Sequence, residues 1–255
     1  MTSHRGRADP GRGRRFVGVR TPGRNHYCRT MPSERGLGSG PRAPSEAAQD
    51  RLIDAAERLV ALHTDEGTSS RAIIAAAGQR HNSAITYHFG DRRGLLDAVW
   101  ERRSAVVNRR RLELIATWSG REPELRELVE AWVQPFAEFV GARRPSYWAR
   151  FNEDELRRYP LAMVPSLRPN LSGRPQEEWL LILIGLFEQI ERRICAGPEG
   201  SIRISSAIRM VISAFAAWER DAEADRQPIS AEDLGVVMVE CVLGLLERCC
   251  PDLSR

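Results

Sequence analysis

The chain contains no lysine: all 38 of its basic residues are arginine, a composition that needs no cause beyond a genome rich in G and C. Aromatic residues make up only 7% of the 255 positions, and cysteines number five, which is odd. Cys249 and Cys250 are adjacent, which is not the spacing of a zinc site. We therefore expect reduced thiols, no bound metal and no cofactor.

Long hydrophobic runs are also missing. The longest apolar stretch, Trp179 to Phe187, is far shorter than the roughly 20 residues that a membrane-spanning helix needs, and the mean hydropathy is -0.40. The first 30 residues hold no apolar core followed by a small-residue cleavage site, so no secretory signal is expected. These absences predict a cytoplasmic protein with no membrane partner.

The net charge of +4 is unevenly distributed. Residues 1–44 carry +8, residues 45–111 carry +2, and residues 112–255 carry -6. The first segment is rich in Gly, Pro, Arg and Ser, so it cannot bury enough surface to offset the entropy of ordering and is predicted to be disordered. Two interpretations stay open: a basic arm that attracts phosphates, or a plain tail with Met31 as the true start.

Three helices are predicted between residues 45 and 90. Apolar residues spaced three and four apart indicate a first amphipathic helix, which Ser45 can cap. A second helix of about two turns follows the break at residues 65–68, and Gly78 then supplies a tight turn to a third short helix that ends at Gly90. The candidate caps are Thr68 or Ser69 for the second helix and Asn82 or Ser83 for the third. This order is typical of a helix-turn-helix, whose second short helix lies in the major groove of DNA.

The chemistry of the third helix favours a polyanionic partner. Its predicted exposed positions almost all carry hydrogen-bonding groups: Gln79, Arg80, His81, Asn82, Ser83, Thr86, Tyr87 and His88. Arginine can bind guanine, Asn and Gln can bind adenine, and hydroxyl groups suit phosphate oxygens. No acidic residue occurs between Glu66 and Asp91. The segment is therefore predicted to bind double-stranded DNA.

The stretch Glu66 to Val99 resembles the DNA-binding domain of the TetR family of transcriptional regulators, and the match covers roughly residues 46–100. It rests on Gly67, Thr68, Ile73, Ala77, Gly78, Tyr87, Phe89, Asp91, Arg92, Leu95 and Leu96. The segment from Ala77 to Phe89 is one residue longer than the commonest spacing, and Gly94 stands where an acid is usual. The resemblance implies phosphate contacts for Thr68, Ser70, Tyr87, His88 and Arg92, and base contacts for Arg80, Asn82, Ser83 and Thr86.

The rest of the chain is also predicted to be helical. Further helices are expected over residues 92–118, 124–140, 146–157, 176–195, 202–223 and 231–248, with an irregular proline-rich loop over 159–175. Arg109 to Arg111 form a basic run, interpreted as a solvated face or as partners for acids of the larger domain. Glu153 to Glu155 are interpreted as solvated.

The last two predicted helices, about 202–223 and 231–248, carry apolar rows and small residues that allow close approach. The resemblance implies that they pair with the same helices of a second subunit to form a homodimer. The alternative is that they complete the core of a monomer. A twofold dimer would place two recognition helices about one DNA turn, roughly 34 Å, apart on a near-palindromic operator.

Aromatic residues of the larger domain are interpreted either as plain core or as the lining of an effector pocket. The pocket candidates are Trp132, Phe136, Tyr147, Trp148, Phe151 and Trp179. The resemblance favours the effector-pocket interpretation, because members of this family bind small molecules in the larger domain. The sequence does not indicate the chemistry of the effector.

The sequence thus predicts an all-α chain with three parts: a tail at 1–44, a helix-turn-helix domain at 45–91, and a helical effector-binding and dimerisation domain at 92–255. The leading hypothesis is a ligand-responsive regulator, a repressor that binds its operator as a homodimer. The alternative is an all-helical small-molecule-binding protein whose helix-turn-helix is only scaffold. No grouping of nucleophile, base and orienting residue is present, so an enzyme is not expected.

Overall fold

A computed structural model describes residues 44–161, 178–194, 198–226 and 229–247. All regular structure in those ranges is α-helical, which confirms the predicted fold class. The helices are α1 (Pro44–His63), α2 (Ser70–Ala76), α3 (Ala84–Phe89), α4 (Arg92–Ala116), α5 (Leu125–Gly141), α6 (Trp148–Leu156), α7 (Glu178–Glu191), α8 (Pro198–Glu223) and α9 (Ala231–Leu246). The expectations for the basic tail before Pro44, for most of the proline-rich loop and for the side chain of Trp179 lie outside the described residues.

The helix boundaries follow local signals that are present in the sequence. α1 begins at Pro44, one residue before the predicted cap Ser45, and proline suits this position because its fixed φ matches the first helical turn. Ser69 caps α2 by accepting the amide of Ala72 at 3.1 Å, and Asp91 caps α4 by accepting the amide of Gly94 at 2.8 Å. Each cap satisfies an amide that would otherwise lack a partner.

The core is centred on α5, most of whose residues are buried. α5 packs against α4, α7, α8 and α9, while α1 packs against α2, α4 and α6. α3 is short and packs against α2 and α4. The helix-turn-helix region is therefore attached to the rest of the chain through α1 and α4. Within the described residues, no helix is long and apolar enough to cross a membrane.

A buried ion pair joins α1 to α4. Arg103 of α4 donates through Nε to Glu57 of α1 at 2.9 Å, and its Nη2 also contacts Asp54 at 2.5 Å. Burial raises the pKa of Glu57, although the nearby guanidinium of Arg103 opposes that shift. Removing Arg103 would leave the charge of Glu57 buried and uncompensated, so the pair fixes the position of α1 on α4.

A second buried carboxylate, Glu219 of α8, holds the start of α6. It accepts the backbone amides of Ala149 and Arg150, each at 3.0 Å, and the hydroxyl of Ser146 at 2.6 Å. No side chain of α6 itself caps that end. Burial raises the pKa of Glu219, against the opposing effect of these hydrogen bonds. Glu219 thus replaces the missing N-cap from a distant part of the chain.

Two predictions about charged residues were wrong. Asp154, expected to be solvated, is buried, because the end of α6 faces the turn after α1. Arg111, expected on a solvated face or beside acids, is buried against the neutral oxygens of Asn108 and Trp132. Its neighbours in the basic run behave as expected: Arg109 is exposed, and Arg110 pairs with Glu138 and Glu113.

Candidate nucleic-acid interface

The turn between α2 and α3 is closed by glycine. Gly78 has a φ of 65°, a left-handed conformation that residues with a side chain rarely adopt. Its amide donates to the carbonyl oxygen of Ala75 at 3.0 Å, and the amide of Gln79 donates to the carbonyl oxygen of Ile74 at 3.0 Å. These two bonds form a Schellman motif, which ends α2 and turns the chain toward α3.

Residues 80–83, predicted on the third helix, lie instead in the turn before it. α3 begins only at Ala84, and Ser83 occupies the N-cap position without a capping hydrogen bond from its side chain. Arg80, Asn82 and Ser83 are all exposed. Ser83 is one of the two caps predicted for this helix, so its first residue lies where the cap prediction placed it. Their assignment as base-contacting residues stays a prediction, now for a turn rather than a helix face.

α3 has one buried face and one open face. Ala84 and Ile85 are buried against the core, whereas Thr86 and Tyr87 are exposed. Tyr87 is 80% exposed, and its ring contacts that of His88 edge-on at a centroid distance of 4.8 Å. A large aromatic side chain this open to solvent adds little to the core.

The corner between α3 and α4 is also tight. Gly90 has a φ of 80°, and its amide donates a hydrogen bond to the carbonyl oxygen of Thr86 at 3.0 Å, which ends α3. A Cβ atom at Gly94 would collide with the carbonyl oxygen of Phe89, so the acid that is usual at this position does not fit here. Glycine at position 94 therefore has a steric reason.

Two of the predicted phosphate contacts are engaged within the protein. The Thr68 hydroxyl is buried and lies 2.7 Å from the carbonyl of Thr64 and 3.1 Å from that of Leu59. Arg92 donates through Nε and Nη2 to Asp65, at 2.9 and 2.5 Å. Their roles toward DNA stay predictions, and in this conformation both side chains stabilise the turn after α1. Ser70 and His88 are half-buried.

Asp65 connects the helix-turn-helix to α6. Its amide donates to the buried carboxylate of Asp154 at 3.0 Å, and its own carboxylate accepts from Arg158 at 2.9 Å as well as from Arg92. These four residues are called the Asp65 junction below. The junction ties the turn after α1 both to the start of α4 and to the end of α6.

The predicted pocket aromatics lie in separate groups. Trp148 and Phe151 stack at 5.6 Å, and both contact Trp100 of α4. Trp132 of α5 instead contacts Phe187 of α7 at 5.3 Å. Phe136 contacts Phe215 of α8 at 5.4 Å, and Tyr147 lies under the guanidinium of Arg150 at 4.9 Å. Their role in binding an effector stays a prediction.

A separate cavity of about 400 Å³ opens between the α5–α6 loop and the end of α8, lined in part by Arg143, Ser146 and Trp218. None of the aromatic residues predicted to line an effector pocket is among the residues that line this cavity. Within the described ranges, no group of three or more His, Cys, Asp or Glu side chains could hold a metal ion.

Comparison with known proteins gives matches among solved structures only; no family model and no curated protein matches the sequence. A TetR-like transcriptional regulator from Rhodococcus sp. RHA1 is 19% identical, with 82% of this chain and 100% of that chain covered and a TM-score of 0.46. The regulator FadR from Bacillus subtilis, solved with stearoyl-CoA, is 12% identical, with 78% and 99% covered and a TM-score of 0.42. The multidrug binding protein EbrR, solved with imidazole, is 18% identical, with 85% and 100% covered and a TM-score of 0.35. These similarities concern the fold alone.

Proposed function

We propose that this chain is a sequence-specific DNA-binding transcriptional regulator, a ligand-responsive repressor of the TetR type that acts as a homodimer on a near-palindromic operator. The observation that carries the proposal is the exposed polar surface formed by α3 and the turn before it. Exposed groups there include a guanidinium, an amide and several hydroxyls. These are the groups that bind base edges and phosphates.

The charge around this surface supports the same conclusion. Between Glu66 and Asp91 there is no acidic residue, whereas Arg71 and Arg80 are exposed. A surface that meets the phosphate backbone gains from positive charge and loses from any carboxylate. A helix-turn-helix used only as scaffold would have no reason to exclude acids from its solvent-facing side.

Tyr87 provides the direct test of this surface. Replacing Tyr87 with Ala should weaken binding to all DNA sequences by about 1.5–3 kcal/mol, or roughly 10- to 100-fold, because it removes a hydroxyl that bonds a charged phosphate. The Tyr87→Phe variant should lose most of the same affinity. Fluorescence anisotropy with DNA from upstream of the gene, at a stated salt concentration, measures both.

Stability provides the control for these variants. Because the Tyr87 side chain is 80% exposed, its removal should change the free energy of unfolding by less than about 0.5 kcal/mol. Equal DNA affinity in the wild type and both variants would show that Tyr87 makes no contact. No binding of upstream fragments by the wild type, even at low salt, would favour the alternative of a small-molecule-binding protein whose helix-turn-helix is scaffold.

The dimer proposal is supported by an apolar face left open on α9. Val236 and Val237 are 57% and 47% exposed, and Cys241 is exposed one turn beyond Val237. The two small residues of α9 differ in their surroundings. A Cβ at Gly235 would press on Ala137 of α5, whereas one at Gly244 would meet nothing within 4 Å. Gly244 thus continues the open face and would allow the close approach of a second copy.

Val237→Glu should break the dimer. Each twofold interface would bury two copies of an unpaired carboxylate, so self-association should weaken at least about 100-fold. Val106→Glu is the matched control, because Val106 lies on α4 and is 48% exposed. Sedimentation velocity should find the Val237 variant monomeric and the Val106 variant dimeric. A dimeric Val237 variant would place the interface elsewhere.

A further inference from the structure

Arg111 is a buried cation without a counter-charge. It is 4% exposed; its Nη1 donates to the side-chain oxygen of Asn108 at 2.7 Å, and its Nη2 donates to the carbonyl of Trp132 at 3.3 Å. Its Nε is buried and has no hydrogen-bond partner. Arg111 forms no ion pair with a carboxylate of the described residues. The other two buried arginines in that part of the chain, Arg103 and Arg150, each pair with two carboxylates.

An unpaired buried charge is costly, because neither water nor an opposite charge replaces its lost hydration. Burial lowers the pKa of Arg111 to about 9. This value is still about two units above neutral, so the guanidinium remains charged at pH 7. The fold therefore retains a positive charge that none of the described residues neutralises.

Apart from the buried amide of Asn108, the surroundings of Arg111 are largely apolar, and three helices contribute them. α4, α5 and α7 all pack against one another. Trp132 of α5, whose carbonyl accepts from Arg111, contacts Phe187 of α7 through its ring, and both rings are buried. Val107, one turn before Arg111 on α4, is buried as well. A ligand admitted between these helices would meet one cation and one neutral amide among apolar side chains.

We infer that the effector of this protein is an organic monoanion, a carboxylate on an apolar body, and that its carboxylate binds Arg111 while its body packs near Trp132 and Phe187. The inference rests on the proposed function, because it specifies the ligand to which the regulator responds. The unpartnered Nε and the weakly bonded Nη2 form one edge of the guanidinium, which is the edge that binds a carboxylate through two parallel bonds. A single cation balances a monoanion, whereas a phosphate dianion would leave a buried negative charge.

Matched pairs of probes test this inference on the full chain without DNA. Sodium decanoate and sodium 1-naphthoate are compared with the neutral decanamide and 1-naphthamide by isothermal titration calorimetry at pH 7. Each carboxylate should bind about 10- to 100-fold more tightly than its amide, because a charge-assisted bond replaces a neutral one. The aliphatic and aromatic pairs separate a fatty-acid source of the carboxylate from an aromatic one.

Arg111→Met separates a ligand-binding role from a structural one. This variant should lose the preference for carboxylate over amide, and its Tm without ligand should stay close to that of the wild type, because the removal of an unpaired buried charge offsets the loss of the donors to Asn108 and Trp132. The adjacent Arg109→Met is the control, because Arg109 is exposed, and it should keep the preference. Equal binding of carboxylates and amides by the wild type, no binding of either carboxylate, or a preference retained without Arg111 would overturn the inference. None of these results depends on DNA binding, which the anisotropy measurement tests separately without ligand.

Discussion

Replacing Glu219 with Ala should lower the free energy of unfolding by about 3–5 kcal/mol, which is the cost of breaking a buried charged network from one side. The substitution leaves two backbone amides of α6 and the Ser146 hydroxyl without their acceptor. It also removes a carboxylate that lies 3.4 Å from Nε of Arg150. Urea unfolding at fixed protein concentration, followed by tryptophan fluorescence, measures the change.

Glu223→Ala is the control for this experiment. Glu223 pairs with the same arginine at 2.8 Å, but its side chain is 43% exposed, so the expected loss is only about 0–1 kcal/mol. Similar losses for the two variants would mean that the ion pair with Arg150, rather than the capping of α6, determines the stability. A loss below about 1 kcal/mol for Glu219→Ala would contradict the capping role.

Replacing both Arg80 and Asn82 with Ala should remove most of the preference for the operator. Each well-formed pair of bonds to a base edge contributes about 1–3 kcal/mol of discrimination, so the two together account for about 2–6 kcal/mol. The operator is first selected from a random DNA library with the wild-type protein. Anisotropy titrations then give the ratio of Kd for a scrambled sequence to Kd for the selected one, and this ratio should fall by tenfold or more.

Arg109→Ala controls for the lost positive charge. Arg109 is exposed on α4. It lies about 25 Å along the helix axis from Arg92, the first residue of α4, so it should be remote from the bases. Its removal should leave the ratio unchanged. If the double variant also keeps the wild-type ratio, the turn before α3 does not determine sequence preference.

Features governed by local chemistry were predictable from the sequence. Ser69, as one of two candidate caps of α2, and the turn at Gly78 were predicted from residue types whose effect reaches only a few positions along the chain. Helical periodicity likewise predicted the all-helical fold that the described residues confirm. Ser83, one of the two caps predicted for the third helix, also occupies the N-cap position of α3.

Features governed by distant contacts were not predictable. Asp154 looks like part of a solvated acidic triplet, yet it is buried because the amide of Asp65, 89 residues earlier in the chain, donates to it. Arg111 looks like the end of a basic run, and only the packing of α5 beside α4 removes it from water. A run of charges in a sequence does not indicate which member turns inward. The orphaned Nε of Arg111 could be found only from coordinates.

The Asp65 junction adds to the stiffness that the packing of α1 on α6 gives to the connection between the helix-turn-helix and α6. A tilt of α6 would lengthen two bonds at once, the one from the Asp65 amide to Asp154 and the one from Arg158 to Asp65. The turn must then follow the tilt or lose both bonds. Arg92 and Asp65 are each more than one-fifth exposed, so ions in solution screen part of this connection. The mechanical linkage between the two regions should therefore soften as ionic strength rises, while the apolar core stays rigid.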